Sequence, residues 1–137
     1  MSDNRLAEEL LRIMPYPDQR YSPIVLICKN REESKKLLDK FKSSCSDKKI
    51  IMIDGCESIV NDSSVSFDYA QDVCIMFEDL QIIAGNPKYE QRFFDIFNSA
   101  FEKSIAILIT LNNNTRCFPF EERNRCRFLW GMKEEIV

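Results

Sequence analysis

An α/β sandwich of three layers, built on a parallel five-stranded sheet, is the fold predicted by three observations on the sequence. Short apolar runs recur at residues 23–28, 49–53, 73–77 and 105–110, and none alternates polar with apolar, as expected of strands buried on both faces. Segments of helical period separate these runs, which favours crossover connections and parallel pairing. A length of 137 residues, 45% of them hydrophobic and 30% charged, suits one globular domain with a core of its own.

Taken in order, residues 4–14 place Leu6, Leu10 and Ile13 on one face and Glu8, Glu9 and Arg12 elsewhere, a short amphipathic helix that Pro15 and Pro17 stop. The strand at 23–28 is followed by a helix from about Arg31 to Ser43, with Leu37, Leu38 and Phe41 inward. A strand at 49–53 leads into residues 54–72, rich in Asp, Ser and Asn and without a clear period. The third strand, 73–77, ends in the acidic pair Glu78-Asp79. Gly85-Asn86-Pro87 opens a helix reaching about Glu102, with an apolar stripe of Tyr89, Phe93, Ile96, Phe97, Ala100 and Phe101. Phe94 makes that stripe wider than one buried face requires, and either packs in the core or faces a partner. The fourth strand is 105–110, and a weaker fifth includes Phe128-Leu129-Trp130. In parallel sheets function gathers at the carboxyl ends of the strands, so the loops that matter are 28–33, 54–57, 78–86 and 111–118.

Nineteen Lys plus Arg against 22 Asp plus Glu give a net charge of −3, which excludes a globally basic nucleic-acid binder and leaves only a local patch. No apolar run approaches the roughly 20 residues that span a bilayer. The charged N-terminus, MSDNRLAEELLRIM, does not read as a secretory signal. The six cysteines include no C-x-x-C pair, and three lie in or beside apolar runs, so they read as reduced thiols of a cytoplasmic protein. The chain has no histidine, which removes Ser-His and Cys-His nucleophile pairs and, with no paired Cys ligands, the usual zinc sites.

Two segments carry a family resemblance. Residues 72–101, DVCIMFEDLQIIAGNPKYEQRFFDIFNSAF, follow the pattern of an apolar strand ending in paired acids, then I-Q-F-x-A-G, then E-E-F-F-x-x-F-N. Residues 121–131, EERNRCRFLWG, follow E-[ED]-R-L-x-S-R-F-x-W-G. Both resemble the AAA+ domain of the bacterial replication initiator DnaA and its short relative Hda, strongly over 72–131 and more weakly back to 22. The resemblance implies a P-loop NTPase fold of AAA+ type. It implies Glu78 and Asp79 at the Mg²⁺-holding and water-polarising positions. Asn112 falls near the first sensor, and Arg127, with Arg123 beside it, at the arginine finger. The chain then reads as a single degenerate AAA+ core domain over 1–137, with 1–17 an N-terminal helix and linker, 22–131 the α/β core, and no helical lid after Gly131. The clamp-binding Gln-Leu motif of Hda-type proteins is missing from residues 1–22.

The same alignment sets residues 28–36 where the family has its phosphate loop. That loop works because glycines let successive N–H groups close around phosphates, while a Lys meets the β- and γ-phosphates. This stretch has no glycine; Ser34 stands at the Lys position and Lys35 at the Mg²⁺-ligating Ser or Thr position. Asn30 and Glu33 instead have the spacing of a capping box. Glu32 and Glu33 supply the helix N-terminus with its own carboxylates, favourable by roughly 0.3–1 kcal/mol each, so ATP phosphates would meet like charge. The nucleotide-site positions Asn30, Glu33, Ser34, Lys35, Glu78, Asp79 and Asn112 are therefore expected to be degenerate, with no ATPase activity and neither ATP nor a metal as cofactor. An arginine finger acts on a neighbouring subunit's nucleotide and needs none of its own. Arg123 and Arg127 are thus the candidates for finger-like or partner-binding use.

The function expected from the resemblance is a regulatory interaction module in chromosomal replication initiation, contacting a DnaA-type initiator or a second copy of itself. Two other functions fit parts of the sequence. One is a divergent ATPase that uses Glu78 and Asp79 with a phosphate site built from Lys29, Lys35 or Lys36. The other is DNA binding through Arg116, Arg123, Arg125, Arg127 and Lys133, a field that the acids at 121, 122, 134 and 135 weaken.

Overall fold

The computed structural model describes residues 23–28, 31–47, 51–62, 73–112, 119–130 and 132–136. The helix expected at 4–14, together with Lys29, Asn30 and Arg116, lies outside them. Five strands, β1 (Ile24–Cys28), β2 (Ile51–Asp54), β3 (Val73–Phe77), β4 (Ala106–Asn112) and β5 (Met132–Ile136), form one sheet in the order β2-β3-β4-β1-β5. Every pairing is parallel: Ile24 meets Leu108 on one side and Met132 on the other, Ile51 meets Val73, and Ile75 meets Ile107. All five carboxyl ends therefore share one edge.

Because side chains alternate across a strand, each strand feeds two cores. Ile24, Leu26, Met76 and Leu108 pack against Leu37, Leu38 and Phe41 of α1 (Arg31–Asp47), which runs beyond the expected end at Ser43. Val25, Ile27, Ile75, Phe77 and Ile107 face the opposite layer. That layer holds α2 (Gly55–Val60), a 3-10 turn (Leu80–Ile83), α3 (Pro87–Glu102) and the ends of α4 (Glu122–Arg127). Helices on both faces of a parallel sheet make the predicted three layers. Among the described residues no helix is long and apolar enough to cross a membrane.

The start of α3 follows its sequence closely. Gly85 turns the chain at a φ of +82°, the Asn86 side chain accepts from the Tyr89 N–H at 3.1 Å, and Pro87 occupies the first helical position. Segment 54–62, which showed no period, contains α2. Its start is capped by Asp54, whose Oδ1 accepts from the Glu57 N–H at 3.0 Å. Gly55 opens α2 directly beneath the Phe77 ring, where a Cβ would collide with the aromatic edge. Gly55→Ala is therefore expected to destabilise the fold by about 1–3 kcal/mol through overpacking. Urea unfolding checks this, and an unchanged midpoint would show that the ring moves aside freely.

One expected strand is displaced. Phe128-Leu129-Trp130 is not a strand but the turn that closes α4, and the fifth strand begins at Met132. Phe128 is buried edge-on to Phe120 at 5.1 Å, whereas Leu129 and Trp130 stay exposed. An apolar triplet with only its first member inward lacks the burial of a sheet strand. The true β5, Met132–Ile136, carries Lys133, Glu134 and Glu135, as befits a strand at the sheet edge.

Candidate functional site

A cleft of about 430 Å³ opens at the carboxyl ends of β2, β3 and β4. All four loops singled out on the sequence reach it: Arg31 from the first turn of α1, Asp54 to Glu57 at the β2–α2 junction, Glu78 to Ile82 after β3, and Asn112 at the end of β4. Val60 and Ile82 form an apolar rim, with Ile82 61% exposed. Among the described residues the wall is acidic, with Asp54, Glu57, Glu78 and Asp79 against the guanidinium of Arg31.

Asp79 is held in an unusual backbone state, with φ +52°, in the left-handed region that a non-glycine residue enters only under constraint. Its N–H donates to the Thr110 hydroxyl at 3.0 Å. Its Oδ2 lies 3.5 Å from Nε of Arg31, while its buried Oδ1 has no hydrogen-bond partner among the described residues. Thr110 is also the partner of Ser34, whose Oγ donates to it at 3.4 Å. Ser34, expected from the sequence resemblance at a phosphate-binding Lys position, is thus buried and turned onto β4 rather than toward the cleft. Asn112 lines the cleft with its backbone N–H given to Oε1 of Gln81 at 3.0 Å.

The first turn of α1 is acidic, with Glu32 exposed and Glu33 half-buried beside Lys36 at 4.0 Å. Lys35 and Lys36 are both exposed, and neither lines the cleft. Of the lysines expected for a divergent phosphate site, these two stand away from the cleft and Lys29 lies outside the described residues.

Burial, and next the neighbouring Asp79, push the Glu78 carboxyl above its ordinary value; Lys42 opposes this, Asp54 adds to it and Arg31 opposes it. Burial and then Asp54, Asp79 and Glu78 likewise push the Cys56 thiol far up, so it stays protonated and is no nucleophile. Cys28 is pushed up to about 11, mainly by burial. Among the described residues no group of three or more His, Cys, Asp or Glu is arranged to hold a metal ion.

The arginine pair lies on a second surface, formed by α4 and the outer face of α3. Gln91, Phe94 and Asn98 lie at helical spacing on α3 and receive both side chains. The Arg123 and Arg127 guanidinium carbons sit 4.3 and 4.2 Å from the Phe94 ring centroid. Arg123 donates to Gln91 Oε1 at 2.7 Å and pairs with Glu121 at 2.8 Å. Arg127 donates to Asn98 Oδ1 at 2.9 Å and to the Arg123 carbonyl at 2.8 Å, and it lies over Trp130. Burial and the nearby Arg123 pull the Arg127 guanidinium below its usual value, which still leaves it charged. Phe94, which sequence left between core and partner, is therefore a half-buried platform for two cations. The clamp residues Gln91 and Asn98 have no sequence signal beyond their spacing, whereas Asp54 and Glu57 could have been found as a D-x-x-E capping box.

No family model matches the chain. Over 63 residues, 45% of its length, it is 36% identical to the chromosomal replication initiator protein DnaA of Geobacter sulfurreducens and 35% identical to that of Geobacter metallireducens. The matched segment spans only 14% of the length of either relative. In structure it resembles the AMPPCP-bound DnaA of Aquifex aeolicus, with a TM-score of 0.79 at 19% identity, over 99% of this chain and 47% of that one. It also resembles domain III of the Thermotoga maritima DnaA, with a TM-score of 0.76 at 17% identity, over 98% of this chain and 62% of that one. A DnaA bound to AMPPCP and single-stranded DNA gives 0.75 at 18% identity, over 97% of this chain and 46% of that one. With the sheet order, the acidic pair after β3 and the paired arginines of α4 already in place, these likenesses show that the chain shares the fold of the DnaA structures.

Proposed function

We propose that this chain is a non-catalytic DnaA-like core domain that modulates chromosomal replication initiation in the cytoplasm by protein contact. It engages a DnaA-type initiator, or a second copy of itself, through the α3–α4 surface bearing Arg123 and Arg127. One observation carries the non-catalytic half: where a triphosphate would sit, the cleft is walled by Asp54, Glu57, Glu78 and Asp79, and Ser34 is turned away onto Thr110. A triphosphate carries several negative charges and needs preorganised donors to offset their desolvation. Among the described residues lining the cleft the one cation, Arg31, is already paired with Asp79. The described residues of the cleft do not fit ATP.

Titration calorimetry with ATP and Mg²⁺ tests this directly. The expected result is no binding heat at nucleotide concentrations up to about 1 mM, a ceiling worth only about 4 kcal/mol of affinity. Micromolar binding that vanishes in Asp79→Asn would overturn the proposal and restore the divergent-ATPase alternative. DNA binding would instead appear as a steep salt dependence in a titration with duplex DNA.

A further inference from the structure

Glu90 is a carboxylate in the first turn of α3, yet it is 1% exposed. Its Oε2 accepts from the Gly85 N–H at 2.9 Å, at the turn that follows the cleft rim. Its Oε1 accepts from the Glu121 N–H at 2.7 Å and from Nδ2 of Asn124 at 3.1 Å, both at the start of α4. The same Asn124 amide reaches the Glu90 carbonyl at 3.2 Å, and Asn124 is itself fully buried. One buried carboxylate therefore ties the loop leaving the cleft to the helix that carries the arginines.

The helix it holds cannot place itself. With six residues, α4 is far shorter than a helix that persists alone, and the side chain of its N-cap residue, Glu121, makes no capping bond. The N–H of Glu121 is met from outside by Glu90 instead. A buried carboxylate left with an empty oxygen is strongly disfavoured, so α4 and the Gly85 turn each keep the other's anchor in place.

We infer that Glu90 is a positioning residue: it sets the orientation in which α4 presents Arg123 and Arg127, and it couples that orientation to the rim of the cleft. The functional meaning of this coupling rests on the proposed partner-binding role of the arginines, but the coupling is measurable without a partner.

The experiment is hydrogen exchange on the full chain. In Glu90→Gln one acceptor oxygen becomes an NH₂ facing N–H donors, so the Gly85 anchor or the α4 anchor fails, and because the two are coupled α4 loosens in either case. Amide protection over residues 121–127 is expected to fall roughly ten- to a hundredfold, well beyond any change in β1 and β4. Asn124→Ala keeps the carboxylate and the Glu121 bond, so the same region should lose less. Should Glu90→Gln not fold, Asn124→Ala carries the test, with loss again confined to 121–127. Protection of 121–127 that is unchanged, or that falls only in step with β1 and β4, overturns the inference. Loosening of α4 without any weakening of initiator association supports the Glu90 coupling and sinks the arginine-face function instead.

Discussion

Replacing Phe93 by Ala is expected to remove about 3–5 kcal/mol of stability, the cost of emptying a fully buried aromatic site. The magnitude follows from what the ring touches. Phe93 meets Phe77 of β3 edge-on at 5.0 Å, Phe97 one turn along α3 at 5.7 Å, and Phe128 beyond α4 at 6.1 Å. It thus links the strand that ends at the acidic pair, the helix that carries Glu90 and Phe94, and the turn that closes the arginine helix. Three separate segments would have to collapse together to fill the void, and packed elements relax only in part. Such a loss is between a fifth and the whole of a total stability of about 5–15 kcal/mol. Urea titration followed by the single tryptophan is the measurement. Trp130 lies 5.8 Å from Phe97 and 5.0 Å from Phe101, so its signal reports this layer. A midpoint shift worth less than about 1.5 kcal/mol would mean that the layer re-forms around the gap. Phe101→Ala, half-exposed at the end of the same stripe, should cost markedly less.

The same layer shows what sequence could and could not reveal. Strands β1, β3 and β4 were legible because unbroken runs such as IVLIC, VCIMF and AILITLN have no stable place except between two layers. The cleft was legible as a location, since parallel strands fix which loops converge. The short elements were not. Both α2 and α4 have six residues, less than two turns, so neither shows a period, and their existence depends on Asp54 capping one and Glu90 holding the other. The displacement of β5 has a related cause: the triplet Phe128-Leu129-Trp130 is the stronger apolar signal beside the charged stretch MKEEI, although an edge strand needs little apolar surface. Glu90 illustrates the deepest limit. In sequence it is one acid among several on an amphipathic helix, and two of its partners lie 31 and 34 residues away. The expectation that Ser34 stands at a phosphate-binding Lys position comes from the chain alone, but its burial against Thr110, 76 residues distant, does not.

Loss of both arginines, in Arg123→Ala with Arg127→Ala, is expected to weaken association with a DnaA-type initiator, or with a second copy of the chain, by roughly a hundredfold or more. Any stimulation of the partner's ATP hydrolysis should disappear with it. Arginine dominates protein interfaces when its guanidinium is ordered before contact, because little entropy is then lost on binding. That condition is met here: Gln91, Asn98, Glu121 and the Phe94 ring fix both side chains on the surface of α3. Two like charges kept this close repel, and an incoming carboxylate or phosphate relieves that repulsion, which gives the pair an electrostatic preference for acidic partners. Lysine at both positions keeps the charge but loses the planar stacking on Phe94 and the forked donors, so the double Lys variant should bind nearly as poorly as the double Ala. Both variants give up cation–π and hydrogen-bond contacts worth about 0.5–1.5 kcal/mol each, so thermal melts must accompany the binding data. The decisive comparison is Phe94→Leu, which keeps both guanidiniums and most of the buried apolar area while removing the ring they rest on. An intermediate loss of association there, at near-parental stability, identifies preorganisation as the source of affinity. A double Ala variant that binds and stimulates as well as the parent would show that Arg123 and Arg127 serve only to pin α4 onto α3.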